Sequence, residues 1–102
     1  MNNKIIVTRH QGTVEWLQRR GIKAPVLPRA KRTDVENRVV YGVLPVMLAA
    51  YAKEVWIIEI PHLPFMAKGV ELSADDLEKY GAKLVHYKVR RKLSWLPFCQ
   101  FR

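Results

Sequence analysis

The chain has one cysteine, Cys99, so it can form neither an intrachain disulfide nor a cysteine-ligated zinc site, and a reducing compartment suits it. It is also short of acid: nine Asp and Glu stand against 18 Lys and Arg, a formal net charge of +9 over 102 residues. Such a balance favours an anionic ligand, a nucleotide or nucleic acid, while fixing neither fold nor reaction. No apolar run reaches the ~20 residues that cross a bilayer. The longest apolar stretch, from Val39 to Ile60, is interrupted by Lys53 and Glu54, and the opening Met1-Asn2-Asn3-Lys4 leads only into a strand-length run. No signal peptide and no membrane partner are expected, and the location is read as cytoplasmic. Glycine is sparse and never spaced G-x-G-x-x-G, which disfavours a dinucleotide; no cofactor is expected. Nor is a metal, because His10, His62 and His86 have no carboxylate at ligand spacing along the chain.

What the chain does have is an alternation of strand and helix signals. The β-branched run Ile5-Ile6-Val7 reads as a buried strand over 4–8. Thr13 can cap a helix running to about Arg20, with Glu15 in its first turn and Gly21 at its end. Residues 22–38 contain Pro25, Pro28 and the basic group Arg29, Lys31 and Arg32, and read as a loop or a short edge strand. A second strand, Val39 to Val43, leads through Leu44-Pro45 into an apolar helix from Val46 to Ala52, expected to be buried. Val55 to Ile60 is a third strand, ended by Pro61-His62-Leu63-Pro64. Ser73-Ala74-Asp75-Asp76 is a capping box opening a helix that stops at Tyr80-Gly81, and Lys83 to Val89 is a fourth strand of undetermined direction. The order implies an α/β domain over 1–89: a small Rossmann-like, mainly parallel four-stranded sheet flanked by helices. Residues 90–102 read as a basic, aromatic tail, whose Trp95, Phe98 and Phe101 suit an interface.

Ligands of open parallel sheets sit beyond the carboxyl ends of the strands. Those ends deliver Thr8 to Gly12, Gly42 to Pro45, and Pro61 to Pro64. The first of these, Thr8-Arg9-His10-Gln11-Gly12, sets a forked cation and an imidazole at a helix start, whose free N–H groups themselves attract anions. Arg9 can bind a phosphate oxygen and His10 can carry a proton; a solvated arginine and a turn-capping histidine are the plainer alternative. Gly42 permits either close approach of a ligand or a tight turn before Pro45. Glu71 can orient a catalytic group or bind a ribose hydroxyl, although a surface carboxylate is the commoner case. Trp16 either stacks on a base or is buried, and Val14 and Leu17 beside it favour burial. His86 reads as structural or exposed.

At these residues the chain resembles the small Csx-type CRISPR-associated proteins of type III systems. The likeness is carried by Val7-Thr8-Arg9-His10-Gln11-Gly12 with Trp16, by Gly42-Val43-Leu44-Pro45-Val46-Met47-Leu48-Ala49-Ala50, and by Gly69-Val70-Glu71-Leu72-Ser73 with Tyr80-Gly81-Ala82. It spans most of residues 5–89 and leaves out the tail and the stretch 22–38. The resemblance implies a CARF-like domain and a ring nuclease, which opens a cyclic oligoadenylate, cyclic tetra-adenylate first among them, and so ends antiviral signalling. It carries onto Thr8, Arg9, His10, Gly12, Gly42, Leu44 and Pro45, which stand where the family motifs stand, without settling which residue is the base. The site expected is Arg9 and His10 as catalytic residues, with Thr8, Gln11, Gly12, Gly42, Leu44, Pro45 and Glu71 binding substrate. A ribose 2′-hydroxyl would be the nucleophile, with no metal required, and a homodimer would suit a near-symmetric ring. No stable DNA binding is expected. The same pocket fits a protein that only sequesters the ring. A histidine phosphatase is disfavoured because Gln11 stands where that superfamily reads Arg-His-Gly, and because its fold needs a longer chain. A basic RNA-binding accessory is the remaining alternative.

Overall fold

The protein is described here by a computed structural model covering residues 3–64 and 71–92. Its strands are β1 (Lys4–Val7), β2 (Val26–Leu27), β3 (Val39–Gly42), β4 (Glu54–Glu59) and β5 (Lys83–Tyr87). Between them lie α1 (Gln11–Arg19), α2 (Arg32–Val35), α3 (Val46–Ala49) and α4 (Ala74–Lys79). The strands form one sheet in the order β2-β1-β3-β4-β5, parallel except for β5. This is a small Rossmann-like α/β fold.

The two-residue alternation of the β-branched strands sorts the core into two layers. Ile5, Val7, Val40 and Val55 face one side, where Val35 and Ala49 of the one-turn helices α2 and α3 cover them. Ile6 and Tyr41 face the other, packed against Trp16 and Leu17 of α1 and Leu77 of α4. Trp16 is 1% exposed, so burial prevails over base stacking for that residue.

The sheet has five strands where the sequence predicted four. The additional one, β2, lies within the stretch expected as a loop or edge strand, and it is both short and marginal. Its neighbour Pro25 offers a carbonyl to the Ile6 amide (2.8 Å), and Leu27 offers one to Thr8 (2.9 Å). Proline on either side of a two-residue strand is tolerable only at an edge, where no further ladder needs its missing N–H. The one-turn helix α2 also lies in this stretch.

Three further expectations need correction. α1 begins at Gln11 with His10 as its N-cap, two residues before the Thr13 start, because the His10 carbonyl already accepts from the Thr13 and Val14 amides. Glu15 therefore lies beyond the first turn, which contains no acidic residue. α3 is a single turn instead of a buried helix to Ala52; it stops where Ala52 bridges to Glu36, and it leaves Val46 73% and Met47 77% exposed. Finally, β5 ends at Tyr87 and runs antiparallel to β4. Its direction follows from α4. The Gly81 backbone at the end of that helix lies against the His62 ring, at the end of the sheet where β4 stopped. The chain must then run back down.

Candidate functional site

The parallel strands β1, β3 and β4 end together and open a cleft of about 510 Å³. Its walls include Thr8, Arg9 and His10 from the β1–α1 turn, Thr13 from α1, Gly42 at the end of β3 with Val43 after it, and Ile58 of β4 with Ile60 just past its end. A volume of this size is ordinary for a small-molecule site, about 300–1,000 Å³. Two of the three expected strand-end segments therefore meet as predicted. Pro61 to Pro64 does not line the cleft; Ile58 and Ile60, just before it, do so instead.

The β1–α1 turn is held by short local bonds. The Thr8 hydroxyl accepts from the His10 amide at 3.1 Å, which fixes the turn on entry to α1. His10 supplies no side-chain cap, so the first amides of α1 remain directed at the cleft end of the helix. Arg9 is exposed on the cleft wall and has no ion-pair partner among the described residues. A guanidinium presented in this way, next to a helix start without acidic residues, has the chemistry that suits an anion.

Gly42 shapes the opposite wall. Its φ of +132° lies in a region that side chains rarely adopt, and a Cβ there would stand 2.1 Å from the Val7 carbonyl oxygen. Only glycine lets β3 end this close to β1. Gly42 is thus both a packing glycine and a wall of the cleft.

His10 does not stand alone. Its Nδ1 lies 3.0 Å from both carboxylate oxygens of Glu71, 61 residues away in sequence. A carboxylate on Nδ1 selects the tautomer with the proton there and leaves Nε2 with a free lone pair for a ligand. The pair exists because of Gly12. A Cβ at Gly12 would fall 1.9 Å from the Leu72 carbonyl oxygen, so only glycine admits the 71–73 segment against the first turn of α1. Ser73 then opens α4 with the predicted capping box: its hydroxyl accepts from the Asp76 amide, and the Asp76 carboxylate accepts from the Ser73 amide, each at 3.1 Å. Arg19–Asp75 (2.8 Å) and Arg20–Glu78 (2.6 Å) tie α4 to α1 further along.

Of the nine residues singled out from the sequence, Thr8, Arg9, His10 and Gly42 line the cleft, and Glu71 joins it through His10. Gly12 is buried as a spacer, Gln11 is exposed on α1, Leu44 packs against the core and Pro45 caps α3. Val43 lines it within the expected Gly42 to Pro45 segment, while Val7, Thr13, Pro28, Ile58, Ile60 and Leu77 line it without having been singled out for the site. Ile58, Ile60 and Leu77 carry only an apolar strand or helix signal in the sequence. His86 has a carboxylate partner as well, Glu54 at 3.3 Å, so two of the three histidines acquire in space the neighbour they lack in sequence. Lys68, Gly69 and Val70, and the tail from 93 onward, lie outside the described residues. Among the described residues, no helix is long and apolar enough to cross a membrane.

The fold and the site together define a small α/β protein with an open cleft at the carboxyl ends of its parallel strands, walled in part by Arg9 and His10. Residues 5–90 match the family described as "Putative CRISPR-associated protein (Cas_VVA1548)", and the chain belongs to that family. No curated protein and no solved structure gives a match to it.

Proposed function

We propose that the protein binds a cyclic oligoadenylate, cyclic tetra-adenylate first among them, and opens it, acting as a ring nuclease that ends the antiviral signal. The observation that carries this reading is the His10–Glu71 pair beside Arg9, which has no ion-pair partner among the described residues, on the wall of the cleft. In the proposed reaction His10 Nε2 takes the proton of a ribose 2′-hydroxyl, and the 2′-oxygen attacks the adjacent phosphorus. The P–O5′ bond breaks, the departing 5′-oxygen takes a proton from solvent, and the products are a 2′,3′-cyclic phosphate and a 5′-hydroxyl. Arg9 and the first amides of α1 stabilise the charge that builds on the phosphate oxygens. Glu71 holds the imidazole in its tautomer and orientation, as carboxylates do in other His-based sites. General base catalysis of this kind supplies about 10²–10⁴-fold, and in-line positioning of the hydroxyl supplies more.

A ring of several nucleotides is larger than one cleft, so two copies facing each other would share it. The exposed Val43 belongs to the cleft wall, and exposed Val46 and Met47 stand just beyond it on α3. They form an apolar rim suited to a two-fold contact. The deciding experiment incubates the pure protein with cyclic tetra- and hexa-adenylate in the presence of a chelator and separates the products. Linear oligoadenylate ending in a 2′,3′-cyclic phosphate is expected. Tight binding with the ring intact would make the protein a sequestering one and sink the enzymatic reading.

A further inference from the structure

At the end of the sheet opposite the cleft, the fold gathers cations from segments far apart in sequence. The amino ends of β3 and β4 and the carboxyl end of the antiparallel β5 meet there. Arg38 precedes β3, Lys53 precedes β4, and Lys88 follows β5. The backbone binds the three together: the Lys53 amide donates to the Arg38 carbonyl (2.9 Å), and Lys88 Nζ donates to the carbonyls of Lys53 (2.8 Å) and Ala52 (3.4 Å). Val89 then packs onto the core, which fixes where Arg90, Arg91 and Lys92 begin.

The carboxylates at this end are already committed. Glu36 pairs with Arg32 at 3.3 Å, and Glu54 accepts from Trp56 Nε1 (3.1 Å) and pairs with His86. Among the described residues none of them pairs with Arg38, Lys53, Lys88, Arg90, Arg91 or Lys92. A second feature adjoins the cations. Tyr41, Trp56 and His86 occupy one row across β3, β4 and β5, with ring centroids 6.4 Å and 4.5 Å apart and planes within 16°. β5 is the edge strand, so His86 ends the row, and its side chain is 47% exposed. Glu54 holds both Trp56 and His86, keeping the row flat.

We infer that this edge binds a single-stranded nucleic acid, its phosphates on the Arg38–Lys53–Lys88–Lys92 cations and a base stacked on His86 at the end of the aromatic row. Cations tracking a backbone beside a flat ring are what sequence-tolerant strand binding requires, and a lipid surface has no use for the ring. This surface is separate from the cleft and independent of any ring cleavage.

The experiment uses the full-length protein and fluorescence anisotropy with a labelled oligoadenylate, an oligouridylate, and an abasic phosphodiester of equal length. The Arg90→Glu/Arg91→Glu/Lys92→Glu variant should bind all three at least about tenfold more weakly and lower the salt slope by about 2, at roughly 0.7 per phosphate contact. His86→Ala should weaken only the base-containing strands, by about fivefold or more, and His86→Phe should restore them. Melting curves that superpose on the parent confirm that the variants fold. Unchanged affinity in the triple variant overturns the proposal. So does equal affinity for the abasic chain, or binding confined to phosphatidylglycerol vesicles.

Discussion

At the scale of single residues, the site depends on what two glycines allow and on one long-range pair. Replacing His10 or Arg9 by alanine is expected to slow ring opening by about 10²-fold or more, measured as single-turnover rates with excess protein. Glu71→Gln removes the charge but keeps the shape and should slow opening by about an order of magnitude, with ring affinity largely retained. Gly12→Ala adds a methyl that Leu72 cannot accommodate without moving, so it should reproduce the Glu71→Gln defect without touching the cleft; a parental rate would separate Gly12 from the His10–Glu71 pair. Gly42→Ala meets both a backbone conformation foreign to alanine and the Val7 carbonyl, and should lower unfolding stability by about 3 kcal/mol or more in denaturant titrations. The sequence made Thr8, Arg9, His10 and Gly42 legible because their chemistry and their strand-end position coincide. It left Glu71 open between orienting a catalytic group, binding a ribose hydroxyl and standing as a surface carboxylate, because nothing local records that Gly12 brings Leu72, and with it Glu71, onto the first turn of α1.

At the scale of elements, α1 and α4 end in the same way. Gly21 and Ile22 donate to the carbonyls of Gln18 and Leu17, and Gly81 and Ala82 donate to those of Glu78 and Leu77. Both are Schellman closures, each with an apolar residue, Ile22 or Ala82, returned to the core. Gly21 has a φ of +81° with open space around its Cβ position, so Gly21→Ala should cost about 1 kcal/mol through conformation alone, read from thermal melts. These stop signals were readable because glycine at a helix end is specified locally. The true start of α1 was not, because His10 caps it through its backbone carbonyl with no side-chain cap to mark the place. Nor was the shortness of α3, which ends where Ala52 makes its long-range bridge to Glu36. At β5, Tyr87 donates its hydroxyl to Glu59, and this bond, ahead of burial, holds the phenol above its ordinary value of 10.0. A raised value means the folded state binds that proton more tightly, so the contribution is intact below pH 10 and is lost as the pH rises beyond it. Ultraviolet titration of Tyr87→Phe should therefore lose a transition lying above pH 10.

At the scale of the whole molecule, the proposed function needs two clefts. Met47→Glu places a charge on the apolar rim beside Val43 without altering Arg9, His10 or Glu71. Sedimentation velocity should show a shift from dimer to monomer, with ring opening lost in parallel; a monomeric parent that still turns over would remove the rim from the mechanism. The alternation of strands and helices along the chain, by contrast, was nearly complete in the sequence, because β-branched runs separated by helix caps mark it. What escaped was α2; β2, two residues long and bracketed by Pro25 and Pro28, was left open as a loop or a short edge strand. That brevity bears on how the protein behaves when concentrated. A strand arriving from another molecule would find, along the β2 margin, only two residues to pair with and a proline at each end that has no N–H to offer. This border of the sheet is therefore a poor template for fibril growth, and a chain with so many β-branched strands is protected there by the stretch that looked least structured.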